Sequence, residues 1–323
     1  MLLCKLCLTN EATQTGSHIV SAFYIKPVVG GRGKEVSHAV TSDPSQDYTK
    51  DEGDSFVKED FILCTDCEKR LSYVEAHVSE EFSNKFRKEN FAQNFKETPI
   101  RARNRLTLVE PVRLNPFAYQ IFVYSIVWRA SISNSPISEG FSLASELEEN
   151  IRHLLNEAIP PSSGYRGVLL DKRQWFSTLA QDFAGRFEYP FVVVSPQSPE
   201  PFGTGFISFF KGLSKPYSVI IGDSIIYFDC HQEYTQDTFK ILNRVNREAF
   251  YNQGGNPIRI LIISDSFWAQ TRKLFIRWIV RARAYNFYKS AEEKLIREFG
   301  GLPKGYKHLN RIAYSIKVQR EGL

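Results

Sequence analysis

The sequence predicts an α+β fold: a small cysteine-bearing N-terminal part, then a larger domain around a mainly antiparallel sheet. Three observations predict it. Four of the five cysteines form two Cys-x-x-Cys pairs, Cys4/Cys7 and Cys64/Cys67, early in the 323-residue chain. Short apolar runs separated by turn residues fill positions 191–264. Segments with helical periodicity lie on both sides of those runs.

The elements follow in order. After the second cysteine pair, Leu71, Val74, Val78 and Phe82 recur at helical spacing. Residues 1–98 are expected to form the N-terminal unit, with a Gly-, Ser- and charge-rich stretch at 28–56 as a flexible insertion. Residues 99–323 are expected to form the α+β domain. It opens with a strand over Arg105–Val109 and a buried helix over 115–131, with Asn115 as cap and Pro116 in the first helical position. Arg129 is the first charge in that helix, expected to cap its end or reach a phosphate. Residues 142–158 read as an amphipathic helix closed by Pro160 and Pro161, and 172–187 as another. Strands are expected at 191–195 and 205–213, and a hairpin over 217–229 turns at Gly222-Asp223, which accept positive φ. The run at 258–264 is apolar enough for a central strand.

A long basic helix should start at Asp265 or Ser266 and end near Gly300-Gly301. Leu274, Phe275, Trp278, Ile279 and Ala282 form its apolar face. Lys273, Arg277 and Arg281 fall at i, i+4 and i+8 as one stripe, with Arg272 and Arg283 beside it. Cations spaced along a helix can track phosphates, which makes this stripe the candidate nucleic-acid contact. Charge is distributed to match. Residues 1–100 hold 12 Lys+Arg against 16 Asp+Glu, whereas residues 258–323 hold 14 against 5. A polyanion would therefore be held by the C-terminal part. The alternative is a solvated basic face.

The longest apolar run, 117–128, is too short to span a bilayer, and no signal peptide is read at the start, so the expectation is a cytoplasmic protein without a membrane. In that compartment two short-spaced cysteine pairs suit one tetrahedral structural zinc better than disulfides. Cys230 is expected to be a packed thiol, His38 to lie in the insertion, and His77 to be exposed on the helix after the second pair.

Between the pairs lies "GSHIVSAFYIK", with His18 eleven residues after Cys7. A knuckle, a hairpin bearing a histidine, and a second knuckle opening a helix outline a treble clef. Residues 1–75 thereby resemble the HNH endonuclease superfamily in its four-cysteine subgroup: C-x-x-C, then D-H-I-x-P, then N-x-x-x-L-C-x-x-C-H. The resemblance implies His18 as the general base of a metal-dependent nuclease, with Glu68, at the family's last histidine, as a ligand for Mg²⁺ or Mn²⁺. Three positions depart from the pattern. Ser17 stands at an acidic ligand, Glu59 or Asp60 at the base-orienting Asn, and Glu68 at the histidine. Two functions follow. One is phosphodiester cleavage, by analogy in bacterial antiviral defence. The other is a catalytically inactive zinc scaffold that binds nucleic acid or a protein partner within a complex.

Overall fold

A computed structural model describes residues 2–29, 36–39, 48–52, 57–101, 106–138, 140–159, 172–199, 206–210, 216–229, 250–273, 275–277 and 297. The chain begins with a turn around Cys4 and Cys7. Leu8 N–H donates to Cys4 O at 2.9 Å and Cys4 N–H to Asn10 O at 2.8 Å. Strand β1 (Ser17–His18) follows, then helix α1 (Ala22–Val29). Within the expected insertion, β2 (Val36–Ala39) and β3 (Tyr48–Glu52) pair as an antiparallel hairpin. Strand β4 (Lys58–Glu59) returns to pair with β1, setting Ser17 opposite Glu59 and His18 opposite Lys58.

Helix α2 (Thr65–Val78) starts on the second cysteine pair: Cys64 is its cap, and its sulfur accepts from Cys67 N–H. Asp66 and Glu68 in the first turn complement the helix dipole. The predicted stripe, Leu71, Val74 and Val78, is buried. Phe82 joins it on a π-type turn over Ser79–Ser83. His77, expected at the surface, is buried instead. Its Nε2 accepts from Asn115 N–H at 3.4 Å and its ring packs on Phe176 at 4.7 Å. The stripe is wide enough to take in the position one before Val78.

The larger part holds a seven-stranded sheet ordered β5-β6-β11-β7-β10-β9-β8. The strands are β5 (Phe95–Arg101), β6 (Leu106–Pro111), β7 (Phe191–Pro196), β8 (Phe206–Phe210), β9 (Tyr217–Gly222), β10 (Ser224–Phe228) and β11 (Ile260–Ile263). Every neighbouring pair is antiparallel except β11 with β7. That parallel pair lies mid-sheet, where apolar runs must be covered on both faces, and β7, β9, β10 and β11 are buried along their whole lengths. The hairpin turn falls at Gly222-Asp223 as expected, with Gly222 at φ +58°. The sequence reading did not anticipate β5.

Helix α3 (Pro116–Ile132) is the centre of the molecule. Asn115 caps it, accepting from Ala118 N–H at 3.1 Å, and every residue from Phe117 to Ala130 is buried. A helix buried all round must have partners on every side. These are α2, α4 (Ser145–Ala158), α5 (Lys172–Asp182) and the sheet, met through ring contacts Tyr119–Phe191 and Tyr124–Phe228. On the other sheet face, Trp268 and Phe275 of a helical stretch (265–273 and 275–277) pack on Val194, Ile225 and Ile263. Of the expected apolar face of that helix, Phe275 is described and buried, while the expected continuation to 300 lies outside the described residues apart from helical Arg297. Cys230 also lies outside them, as does the side chain of His38.

The cysteine module shares its core with the rest of the molecule. Cys4, Leu6, Ile19, Val57 and Leu63 belong to the same buried cluster as Phe122, Trp128 and Phe228. Cationic side chains fasten the module to α3 and α4 by donating to backbone carbonyls: Lys5 Nζ to Ile132 O at 2.7 Å, Arg152 Nη1 to Leu6 O at 2.8 Å, and Arg70 Nη2 to Asn156 O at 2.6 Å. Among the described residues, no helix is long and apolar enough to cross a membrane.

Candidate metal centre and the site beside it

Two tight turns converge to make the metal centre. The Cys4–Cys7 turn and the first turn of α2 are laced together by backbone bonds from Lys5 N–H to Ile62 O at 3.0 Å and from Gln14 N–H to Leu63 O at 3.1 Å. The sulfurs of Cys4, Cys7, Cys64 and Cys67 lie within 4.8 Å of one another, and the Cys7–Cys64 pair is at 4.0 Å. A tetrahedral ion with bonds of about 2.3 Å places its sulfurs about 3.8 Å apart, so the four fit zinc with slight contraction. All four are free thiols, and three are buried. Asn10 Nδ2 approaches the Cys64 sulfur at 3.8 Å and Arg70 Nη1 the Cys67 sulfur at 3.9 Å, donors suited to thiolate charge. A hydrogen bond from Cys67 holds the Cys4 thiol down to about 4, while that same contact and burial push Cys67 far up. Four thiols packed this closely do not all ionise without a cation among them, and a dication supplies that charge.

A second site lies one residue further along α2. Glu68 projects from its first turn toward β1, where Ser17 and His18 lie. Its Oε2 is enclosed with no partner at hydrogen-bond distance among the described residues; the Ser17 hydroxyl is beside it, outside strict hydrogen-bond geometry. Burial raises the Glu68 carboxyl above its usual range. The charge of Arg129 opposes that shift, Glu75 adds to it, and Ser17 and His18 oppose it. The β1–β4–α2 order thus brings both residues singled out in the sequence, His18 and Glu68, into one neighbourhood.

Arg129 occupies this neighbourhood as well, and corrects the expectation that it caps its helix or reaches a phosphate. It is 1% exposed and points into the protein. Nη1 donates to His18 O at 2.5 Å, Nη2 to Glu75 Oε1 at 2.6 Å, and Nε to Ser125 O at 3.2 Å. The guanidinium lies between β1, which carries His18, and α2, which carries Glu68. A hard dication needs several oxygen ligands. Here Glu75 is engaged by Arg129, and a fixed positive charge already acts on Glu68. Arg129 thus sets a fixed positive charge beside Glu68, one that would oppose a second cation there. The two carboxylates expected to orient the base, Glu59 and Asp60, are engaged in other bonds. Glu59 Oε2 accepts from Ser133 Oγ and from Asn134 N–H at 3.0 Å, and Asp60 Oδ1 from Gly16 N–H at 2.6 Å.

Of the basic stripe, Lys273 and Arg277 are exposed one turn apart on the helical stretch, and Arg281 lies outside the described residues. The sequence reading missed Glu75 as a functional neighbour. The available signal was the lone arginine in an otherwise apolar helix, which demands a buried carboxylate, and a glutamate seven residues after Glu68, on the same helix face. No protein family, curated protein or solved structure matches this chain.

Proposed function

We propose that this chain is a zinc-scaffolded binding protein, in which an HNH-like arrangement serves architecture and not cleavage. The observation that carries the reading is the position of Arg129: buried, bonded to the His18 carbonyl and to Glu75, and acting on Glu68. A guanidinium there ties strand to helix with hydrogen bonds and supplies the positive charge that a catalytic ion would bring. It has no open coordination position and cannot activate water. Zinc at Cys4, Cys7, Cys64 and Cys67 then fixes the module, and the module is bound into the core of the larger part. The exposed Lys273 and Arg277 give this scaffold a cationic face suited to nucleic acid.

The rival reading is metal-dependent phosphodiester cleavage with His18 as base. What favours it is the proximity of His18 to Glu68. Incubating the zinc-loaded protein with labelled single- and double-stranded DNA and RNA in Mg²⁺ or Mn²⁺ separates the two. The scaffold reading expects no cleavage and salt-sensitive binding that His18→Ala leaves unchanged. Metal-dependent cleavage abolished by His18→Ala overturns it.

A further inference from the structure

Among the described residues six large apolar side chains are exposed, and four of them, Leu2, Leu3, Leu8 and Phe61, ride on the cysteine module. The segments that carry them are bound to one another. Ala12 N–H donates to Leu2 O at 2.8 Å, Leu8 N–H to Cys4 O at 2.9 Å, Lys5 N–H to Ile62 O at 3.0 Å and Phe61 N–H to Gln14 O at 2.8 Å. With the metal centre beneath, this backbone presents its apolar side chains from a fixed support.

The backbone at two of these residues is itself unusual. Leu8 and Phe61 have φ of +56° and +59°. Glycine occupies that left-handed region freely, whereas a bulky L side chain does so at a cost. Folding alone is better served by glycine at both places. A leucine and a phenylalanine held there leave about half of their surface to solvent, at 49% and 48% exposed. Their placement makes sense as a contact with something outside the protein.

The surrounding charge selects what that contact is. Glu11, paired across from Leu3, and Asp60, preceding Phe61, are exposed acids. Lys5 is the lone lysine or arginine among positions 1–25, and it turns inward to the Ile132 carbonyl. Lys69 on α2 is the adjoining exposed base. An apolar face with an acidic rim repels phosphates and complements apolar side chains flanked by cations.

We propose that the knuckle face, Leu3, Leu8 and Phe61 rimmed by Glu11 and Asp60, docks a protein segment whose apolar side chains are flanked by lysine or arginine. The proposal rests on the reading of the cysteine module as a scaffold and adds a surface separate from the Lys273–Arg277 face. The cleavage assay tests the scaffold reading without reference to this face, so the two can fail independently.

The test uses the full zinc-loaded chain and two fluorescein-labelled synthetic peptides, one alternating leucine with lysine, the other leucine with glutamate, followed by fluorescence anisotropy. The lysine peptide is expected to bind at least tenfold more tightly than the glutamate peptide. The Leu8→Gly/Phe61→Gly double variant is expected to lose at least tenfold in affinity for it. The same variant should keep its zinc stoichiometry and melt at the same or a higher temperature, because glycine relieves the backbone. A merely structural role for the two side chains predicts the opposite movement of the melting temperature. Equal binding of the lysine peptide to parent and double variant, equal binding of both peptides, or no binding of the lysine peptide overturns the proposal.

Discussion

The Arg129 guanidinium and the Glu75 carboxylate meet at 2.6 Å, with the arginine side chain 1% and the glutamate 17% exposed. Through this pair α3 holds α2, and through Nη1 on the His18 carbonyl it holds β1. Removing one partner of a buried pair leaves a charge that the interior cannot solvate, at a cost of about 3–5 kcal/mol. Arg129→Met is expected at the low end, because Glu75 retains some access to water. Glu75→Gln leaves Arg129 its carbonyl partners and Glu68 as the neighbouring carboxyl, but removes the carboxylate it is bonded to. Urea unfolding of zinc-loaded single and double variants measures the coupling. A loss below about 1 kcal/mol for Arg129→Met would show that the pair contributes nothing net.

Zinc removal is expected to disturb more than the cysteine module. Cys4, Cys64 and Cys67 lie in the same buried cluster as Trp128 and Phe122 of α3, and Cys7 packs against it. With metal bound, the sulfurs should resist a thiol reagent and the protein should carry one zinc per chain. A chelator should expose all four thiols and change the near-ultraviolet signal of the aromatic core. Cys64→Ser should do the same without chelator, since it removes a metal ligand while its hydroxyl can still cap α2. Thiols that react freely in the presence of zinc would sink the four-cysteine assignment.

The cationic face makes a quantitative prediction. If Lys273 and Arg277 each contact one phosphate, replacing either by alanine should weaken binding to all nucleic-acid sequences about equally. Each change should also reduce the slope of log K against log salt by about 1. Both side chains are exposed, so stability should not move by more than about 0.5 kcal/mol. An unchanged slope in the double variant would remove this face from consideration.

Elements whose cause is local could be read in the sequence. Asn115 and Pro116 fix the start of α3, Gly222-Asp223 fixes the hairpin, and each Cys-x-x-Cys spacing sets two sulfurs on one tight turn. What could not be read depends on partners distant in the chain. Strand β5 contains Pro99 and several exposed polar residues, and it exists because β6 pairs with it at the sheet edge. The same holds for the site. His18 and Glu68 were identifiable by position, but Arg129 is 111 residues from the His18 carbonyl it binds, and only packing reveals that link. His77 misled because a polar residue late in an amphipathic helix reads as exposed, whereas α5 and the cap of α3 enclose it.

Neighbouring glycines before β11 offer a test of packing against backbone preference. Gly254 has φ +58° and Gly255 φ +79°, so an alanine at either is strained by about 1–2 kcal/mol. Their surroundings differ. A Cβ at Gly254 would meet no more than the Ala184 carbonyl at 3.9 Å. A Cβ at Gly255 would lie 2.3 Å from Cζ of Phe117 and 2.9 Å from both ring Cε atoms. Phe117 is buried at the start of α3 against Phe187, so its ring cannot swing away freely. Gly254→Ala should therefore cost only the backbone term. Gly255→Ala adds overpacking of about 1–3 kcal/mol. Combining Gly255→Ala with Phe117→Leu should return part of that added loss, although Phe117→Leu alone destabilises. Equal urea midpoints for the two alanine variants would mean that Phe117 does not close on Gly255, and that α3 is seated differently over the segment leading into β11.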